Sequence, residues 1–342
     1  MHDLRTGVLL INLGTPDAPR TRPVRRYLRE FLSDPLVIDA PAPVRWAFLN
    51  FVILPFRPRR SAEAYQKIWT DQGSPLLVNG HVLRRGLRDA LGPAYVVDLA
   101  MRYGRPSIRG ALERLHAADV ARILAVPLFP QYSSAATGSA VACLERELAQ
   151  APDLPPHEVL PPCYADPRFV SAWVEVARPA LEAFAPDHVL FSYHGLPERQ
   201  VKACDPSGSH CLETPDCCAA IGDTNRHCYR AQSFATTRAV AAALGLARDA
   251  HGTAFQSRLG RIPWIQPYTD EMLKELADAG YRRLAILCPA FVADCLETLE
   301  EIGIRARNAW RELGGEDLLL VPSLNDHPAW VDALARMVRE RA

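Results

Sequence analysis

Short apolar runs recur along the chain, each continuous rather than alternating, with helix-sized stretches between them. The candidate strands are Gly7–Leu13, Val96–Met101, Arg122–Pro127, Val189–Tyr193, Gly252–Gln256, Leu284–Leu287 and Leu318–Val321. Continuous hydrophobicity marks strands buried on both faces, which is the condition of parallel sheets, and parallel neighbours need a crossover, usually a helix. The segments Pro106–Ala117, Ser139–Ala149, Arg168–Ala183, Ala231–Leu244, Thr269–Ala279 and Asp294–Leu313 supply helical patterning between the runs. The expectation is an α/β fold built from βαβ units. A second series of strands begins after the Pro-rich stretch Ala151–Pro162. Two doubly wound domains are therefore expected, 1–160 and 161–342, with functional residues on loops at the carboxyl ends of strands around a cleft.

Composition narrows the function classes. The 342 residues include 39 basic and 39 acidic side chains, so formal net charge is zero. High apolar content with no charge imbalance excludes a disordered chain, and no cationic surplus exists for a nucleic-acid partner. No apolar run is long enough to span a bilayer. The stretch Met1–Gly7 has neither a basic, apolar leader nor transit-peptide character, so a cytoplasmic location is expected. The nine cysteines are an odd number in a large chain, which argues against a secreted disulfide scaffold.

The strand-end loops carry the chemistry. Asn12-Leu13-Gly14-Thr15-Pro16 follows the first strand, but there is no G-x-G-x-x-G fingerprint and no Walker phosphate loop in the chain. Gly14 is either a tight turn or a ligand position. The loop from Phe129 through Gln131, Tyr132 and Ser133 to Ser139 is rich in hydroxyls, which serve as helix caps or as ligand contacts. Met101 is followed by Arg102 and Tyr103. An arginine and tyrosines around one cleft would suit a flat, anionic, aromatic ligand. His194 stands at the end of its strand before Gly195, where an imidazole can accept a proton or ligate a metal. After Leu287 come Asp294, Glu297 and Glu301, which share one face if the segment is helical, with Leu296, Leu299 and Ile302 opposite. Such a carboxylate row is either a solvated face or, beside a histidine, a device for handling a divalent metal.

The sequence resembles the ferrochelatase family. The matching stretches are Leu10-Ile11-Asn12-Leu13-Gly14-Thr15-Pro16, Gly73-Ser74-Pro75-Leu76, Met101-Arg102-Tyr103-Gly104, Pro130-Gln131-Tyr132-Ser133, Ser192-Tyr193-His194-Gly195-Leu196-Pro197, Phe255-Gln256-Ser257-Arg258 and Phe291-Val292-Ala293-Asp294-Cys295-Leu296-Glu297-Thr298-Leu299, in order along nearly the whole chain. The resemblance implies two similar Rossmann-like lobes and insertion of Fe2+ into protoporphyrin IX with release of two protons, the last step of haem synthesis. It assigns His194 and Glu297 as the catalytic pair, with Asp294 and Glu301 joining them on the iron. It implies that Tyr132, Ser133, Arg102, Asn12 and Trp264 frame the porphyrin, although Trp264 would serve equally as a core aromatic. Family members often carry histidine where Cys295 stands, and bacterial relatives with cysteine exist, so Cys295 is expected to be dispensable. Rival readings are a coproporphyrin ferrochelatase and a haem or metal carrier without turnover.

Two segments need separate explanations. Val44–Phe56, within a region of about residues 36–60 that the resemblance identifies as a lip over the porphyrin mouth, is apolar and is followed by Arg57, Arg59 and Arg60. Either peripheral membrane contact or an internal helix would account for it. Five cysteines, Cys204, Cys211, Cys217, Cys218 and Cys228, crowd an insert of about residues 200–229. Their spacing fits neither paired C-x-x-C zinc knuckles nor the plant-type ferredoxin pattern. Some microbial ferrochelatases hold a [2Fe–2S] cluster on four cysteines. By that resemblance Cys211, Cys217, Cys218 and Cys228 are the ligands and Cys204 the spare, with zinc or unligated thiols as alternatives. The last helix is expected to pack back on the first lobe.

Overall fold

Eight strands form two sheets of the same topology in a computed structural model that describes residues 5–151, 153–260 and 262–341. The first sheet contains β1 (Arg5–Thr15), β2 (Tyr95–Gly104), β3 (Val120–Pro127) and β4 (His157–Val159), in the order β2-β1-β3-β4. The second contains β5 (His188–His194), β6 (His251–Gln256), β7 (Arg283–Leu287) and β8 (Asp317–Leu320), in the order β6-β5-β7-β8. All pairings are parallel. This is the α/β, Rossmann-like architecture expected from the continuous apolar runs. The central strands show why those runs are continuous: Val8 to Ile11 and Leu284 to Leu287 are wholly buried. Each buried aliphatic side chain contributes about 1.5–3 kcal/mol. Met1–Leu4, part of the stretch Met1–Gly7 expected to lack leader character, lie outside the described residues.

Each sheet is covered by its own helices. Leu9, Ile11, Ala100, Ile123 and Ala125 pack with Leu112 and Leu115 of the helix Ile108–Ala117 and with Leu144 of the helix Ser139–Ala149. In the second sheet Leu190, Ala254, Leu284 and Ile286 pack with Leu273 and Leu276 of the helix Thr269–Asp278 and with Trp310. β4 was not expected: its three residues include His157 and Glu158, so no apolar run announces it.

The contacts divide the chain into two units. One runs through Phe129, resumes over Ser134–Pro162 and includes the chain from Val331 on, while the other comprises Pro130–Ser133 and Cys163–Trp330. Side-chain bonds account for the short excursion at 130–133. Gln131 Nε2 donates to Thr236 Oγ1 at 2.9 Å, and the Tyr132 N–H donates to Gln232 Oε1 at 2.6 Å. At the chain's end, Arg339 donates to the Ala90 carbonyl.

Gly14 lies within β1, in register with Tyr103 of β2, and not in the tight turn expected as one alternative. Its φ is +124°, and a Cβ there would lie 2.0 Å from the Tyr103 carbonyl oxygen of the paired strand β2. Only glycine allows β1 and β2 to stay paired at this level.

Candidate active site

His194 ends β5 and pairs in register with Gln256, which ends β6. The Gly195 N–H then donates to the Gln256 carbonyl at 2.8 Å. A Cβ on Gly195 would approach that oxygen to 2.8 Å and the Trp264 ring to 3.2 Å, so the turn after His194 requires glycine by close approach. The imidazole is set by its own backbone, because Nδ1 lies 2.6 Å from the Gly195 carbonyl oxygen. A carbonyl can only accept, so Nδ1 carries the hydrogen and the neutral ring keeps its lone pair on Nε2. The ring lies beside Trp264 and Phe291, with centroids 6.5 and 6.3 Å away.

Gln256 also reaches Glu297: its Nε2 donates to the Glu297 carbonyl at 2.8 Å, while its Oε1 accepts from Ser192 at 2.7 Å. One buried amide thus fixes the segment bearing the candidate carboxylate against the strand that bears the candidate base. Glu297 is half-buried at the start of a widened, π-type helix, Leu296–Ala306. Its carboxylate meets the Cys295 thiol. Burial and the neighbouring Glu297 charge push that thiol well above its ordinary range, so it is a neutral donor.

The expected single face of three carboxylates is not formed. Asp294 precedes the helix, so it does not share a helical face with Glu297 and Glu301. The three groups therefore have different surroundings. Asp294 is buried and accepts from Thr298 Oγ1 at 3.0 Å and Asn325 Nδ2 at 2.8 Å. Glu301 accepts from the Ser257 N–H at 2.9 Å and from its hydroxyl at 2.5 Å, with Arg305 at 3.5 Å. Ser257 has φ of +67°, so Glu301 steadies a loop in the left-handed region. Both carboxylates are engaged by protein donors.

The expected ring-framing residues fall in two places. In the second unit, Trp264 is buried beside His194 and its Nε1 donates to the Leu259 carbonyl at 3.0 Å. Tyr132 is half-buried, held by Gln232 and set edge-on to the His227 ring at 5.3 Å. Ser133 is buried beside it. In the first unit, Asn12 is buried and its Oδ1 accepts the Leu13 N–H at 2.8 Å. Arg102 is not held out for a ligand anion. Its Nε donates to the Ser139 carbonyl and hydroxyl at 3.0 and 2.7 Å, and its Nη2 to Asp34 at 2.5 Å. Tyr103 and Ser139 hydroxyls complete the ring of donors on Asp34 at 2.8 and 2.6 Å.

The insert folds as turns braced by two side chains. Asp205 accepts from the Ser207 hydroxyl and from the N–H groups of Ser207, His210 and Cys211, and these bonds hold its carboxyl far below the usual range. Asn225 bonds the carbonyls of Cys217 and Ala220 at 2.9 and 2.8 Å. Cys211, Cys217, Cys218 and Cys228 are each at most 5% exposed. The Cys217 and Cys218 sulfurs lie 3.7 Å apart, and the Cys228 thiol contacts both Cys211 and Cys218. Cys204 stands apart from these contacts and interacts instead with Tyr132. No disulfide joins any of the nine cysteines. Among the described residues no three His, Cys, Asp or Glu side chains are arranged around a single metal position.

Nothing in the sequence singles out four residues of this site: Gln256, Ser257, Asn325 and Tyr229, whose hydroxyl is bonded to the His194 backbone. Gln256 and Ser257 lay within a recognised motif, but nothing marked them as the brace.

A family model described as ferrochelatase matches residues 5–342. Ferrochelatase of Coxiella burnetii (strain CbuK_Q154) is 48% identical over 336 residues, covering 98% of this chain and 94% of that protein. Ferrochelatase of Legionella pneumophila (strain Lens) is 47% identical over 338 residues, covering 99% of this chain and 100% of that protein. Among solved structures, SirB from Bacillus subtilis with Fe3+ superposes with a TM-score of 0.56 at 13% identity, covering 99% of this chain and 96% of that one. At that identity the likeness concerns the fold alone.

Proposed function

The chain belongs to the ferrochelatase family and inserts Fe2+ into protoporphyrin IX, and on that premise we propose that His194 and Glu297 carry the chemistry. The observation that carries this assignment is the shared brace: Gln256 holds the backbone on either side of the pair, and the His194 tautomer leaves Nε2 free to accept a proton.

The reaction consumes the porphyrin with two pyrrole N–H groups and Fe2+, and yields haem and two protons. A flat macrocycle must first be bent so that a nitrogen lone pair leaves its plane, with strain drawn from binding elsewhere on the ring. His194 Nε2 takes an N–H proton. Glu297 replaces water on Fe2+ and helps carry protons away. Asp294 and Glu301 act by holding the Glu297 segment and its neighbouring loop, each already engaged by protein donors. Tyr132, Ser133 and Trp264 frame the ring, whereas Arg102 and Asn12 act as strand-end scaffolding. Anaerobic incubation with protoporphyrin IX and Fe2+, followed by pigment analysis, is expected to give protohaem. Porphyrin bound but unmetallated would contradict the assignment and favour a carrier.

The four buried cysteines fit a [2Fe–2S] cluster held by Cys211, Cys217, Cys218 and Cys228. Two thiolates on one tetrahedral metal at about 2.3 Å stand about 3.8 Å apart, and Cys217 and Cys218 already have that spacing. The contacts run as a chain, Cys217 to Cys218 to Cys228 to Cys211, which suits a two-iron centre taking two thiolates on each iron better than a single ion. Arg230 Nη1 donates to the Cys218 sulfur at 3.2 Å, which offsets thiolate charge. When bound, such a cluster supplies a reversible one-electron change and a covalent brace for the insert. Anaerobically purified protein is expected to absorb in the visible, with the absorption lost in Cys217→Ser. A colourless protein carrying one zinc would contradict this.

We further place the enzyme in the cytoplasm, resting on the membrane surface by its lip. Val44, Trp46, Phe48, Phe51, Val52 and Phe56 are exposed over the continuous helical segment 42–68, next to Arg57, Arg59 and Arg60. Among the described residues no helix is long and apolar enough to cross a membrane. Flotation with anionic liposomes is expected to carry wild type upward and to leave Trp46→Asp largely unbound. Equal absence of binding in both would remove the lip as a membrane contact.

A further inference from the structure

The cysteine centre and the candidate active site share one short stretch of chain, residues 226–232. Cys228 caps the helix Tyr229–Leu244: the Ala231 N–H donates to its sulfur at 3.5 Å, and the same sulfur contacts Cys211 and Cys218. Residues on both sides of Cys228 reach different parts of the site. The His227 ring stands edge-on to Tyr132. The Tyr229 hydroxyl is hydrogen-bonded to the backbone of His194. Arg230 donates from Nη1 to the Cys218 sulfur and from Nε to the Gln266 carbonyl at 3.1 Å, two residues past Trp264. Gln232 is 1% exposed, and both ends of its amide are used: Oε1 accepts the Tyr132 N–H at 2.6 Å and Nε2 donates to the Arg226 carbonyl at 2.5 Å.

A buried amide engaged at both ends transmits displacement, because sliding either partner leaves a polar group unmade. Cys228 lies between Arg226 and Gln232 in the chain. Fixing its sulfur in a centre therefore fixes the carbonyl that orients Gln232, and Gln232 fixes the backbone of Tyr132. We propose that Gln232 is a positioning residue that couples the cysteine centre to Tyr132, so that an assembled centre tightens porphyrin binding. This rests on the reading of the four cysteines as cluster ligands and on Tyr132 as a ring-framing residue. Allosteric couplings of this kind commonly amount to about 5–150-fold in affinity.

The experiment is a titration with protoporphyrin IX alone, without iron, followed by tryptophan quenching. Anaerobically purified protein and the same protein stripped of its centre are compared, with iron and sulfide contents measured on both. Stripping the wild type is expected to weaken porphyrin binding at least about 5-fold. In Gln232→Leu, with an unchanged visible spectrum before stripping, the dependence should fall below about 2-fold. Gln232→Glu still accepts the Tyr132 N–H but can no longer donate to the Arg226 carbonyl, so it should lose the dependence as Gln232→Leu does, and dependence retained in it would show that the link does not run through that bond. Equal porphyrin affinity of loaded and stripped wild type would overturn the coupling while leaving the centre intact. Undiminished dependence in Gln232→Leu would overturn the role of Gln232. Absence of iron and sulfide from the purified protein would overturn the centre and the coupling together. The wild-type comparison needs no variant, so misfolding of Gln232→Leu leaves the coupling decided.

Discussion

Replacing His194 by alanine is expected to lower turnover of Fe2+ insertion by about 10²–10⁴-fold, the range typical of a positioned general base, while protoporphyrin still binds. The side chain is hydrogen-bonded to its neighbour's carbonyl and is half-buried, so its removal leaves the sheet intact. The loss should therefore fall on the chemical step and not on folding. Loss of porphyrin fluorescence under anaerobic turnover measures kcat, and fluorescence quenching without iron measures binding. A variant within about threefold of wild-type turnover would show that another group takes the pyrrole protons.

The second large effect concerns stability. Asp34→Ala is expected to cost about 3–5 kcal/mol, because it strands a buried guanidinium. Asp34 and Arg102 are 5% and 12% exposed, and Asp34 also accepts from Tyr103, Ser139 and the Leu36 N–H. Burial alone would raise the Asp34 carboxyl, but the bonds from Ser139, Leu36 and Tyr103 and the Arg102 charge outweigh it and hold the group below its ordinary range. A folded-state depression contributes stability above the unfolded carboxyl value of about 3.9 and loses it as pH falls through the lower folded value. The wild type should thus lose this contribution in acid, and the variant should show a shallower acid dependence. Denaturant midpoints with unchanged slopes check both, and a cost under about 1 kcal/mol would mean that Arg102 finds other partners.

Buried parallel strands announce themselves by continuous hydrophobicity, which is why β1, β2, β3 and β5 to β8 were legible in the sequence. β4 was not, since an edge strand of three residues, two of them polar, leaves no such run. The position of His194 followed from the same logic, because a strand's end could be counted from its apolar core. What the carboxylates do could not be read. Their shared face assumed a helix beginning at Asp294, whereas the helix begins at Leu296. Asp294 is answered by Asn325 and Glu301 by Ser257, partners 31 and 44 residues away. Arg102 likewise meets Asp34 across 68 residues. Local patterning identifies which groups can do chemistry; only the folded neighbours show which of them are already committed. The placement of Tyr132 on the second unit belongs with these, since Gln232 and Thr236 lie some hundred residues along the chain.

The most direct test is a structure of the protein with protoporphyrin IX bound. The macrocycle centre is expected within reach of His194 Nε2 and the Glu297 carboxylate, with Tyr132 and Trp264 at its edges. A porphyrin whose nitrogens face neither His194 nor Glu297 would contradict the assignment of base and metal ligand.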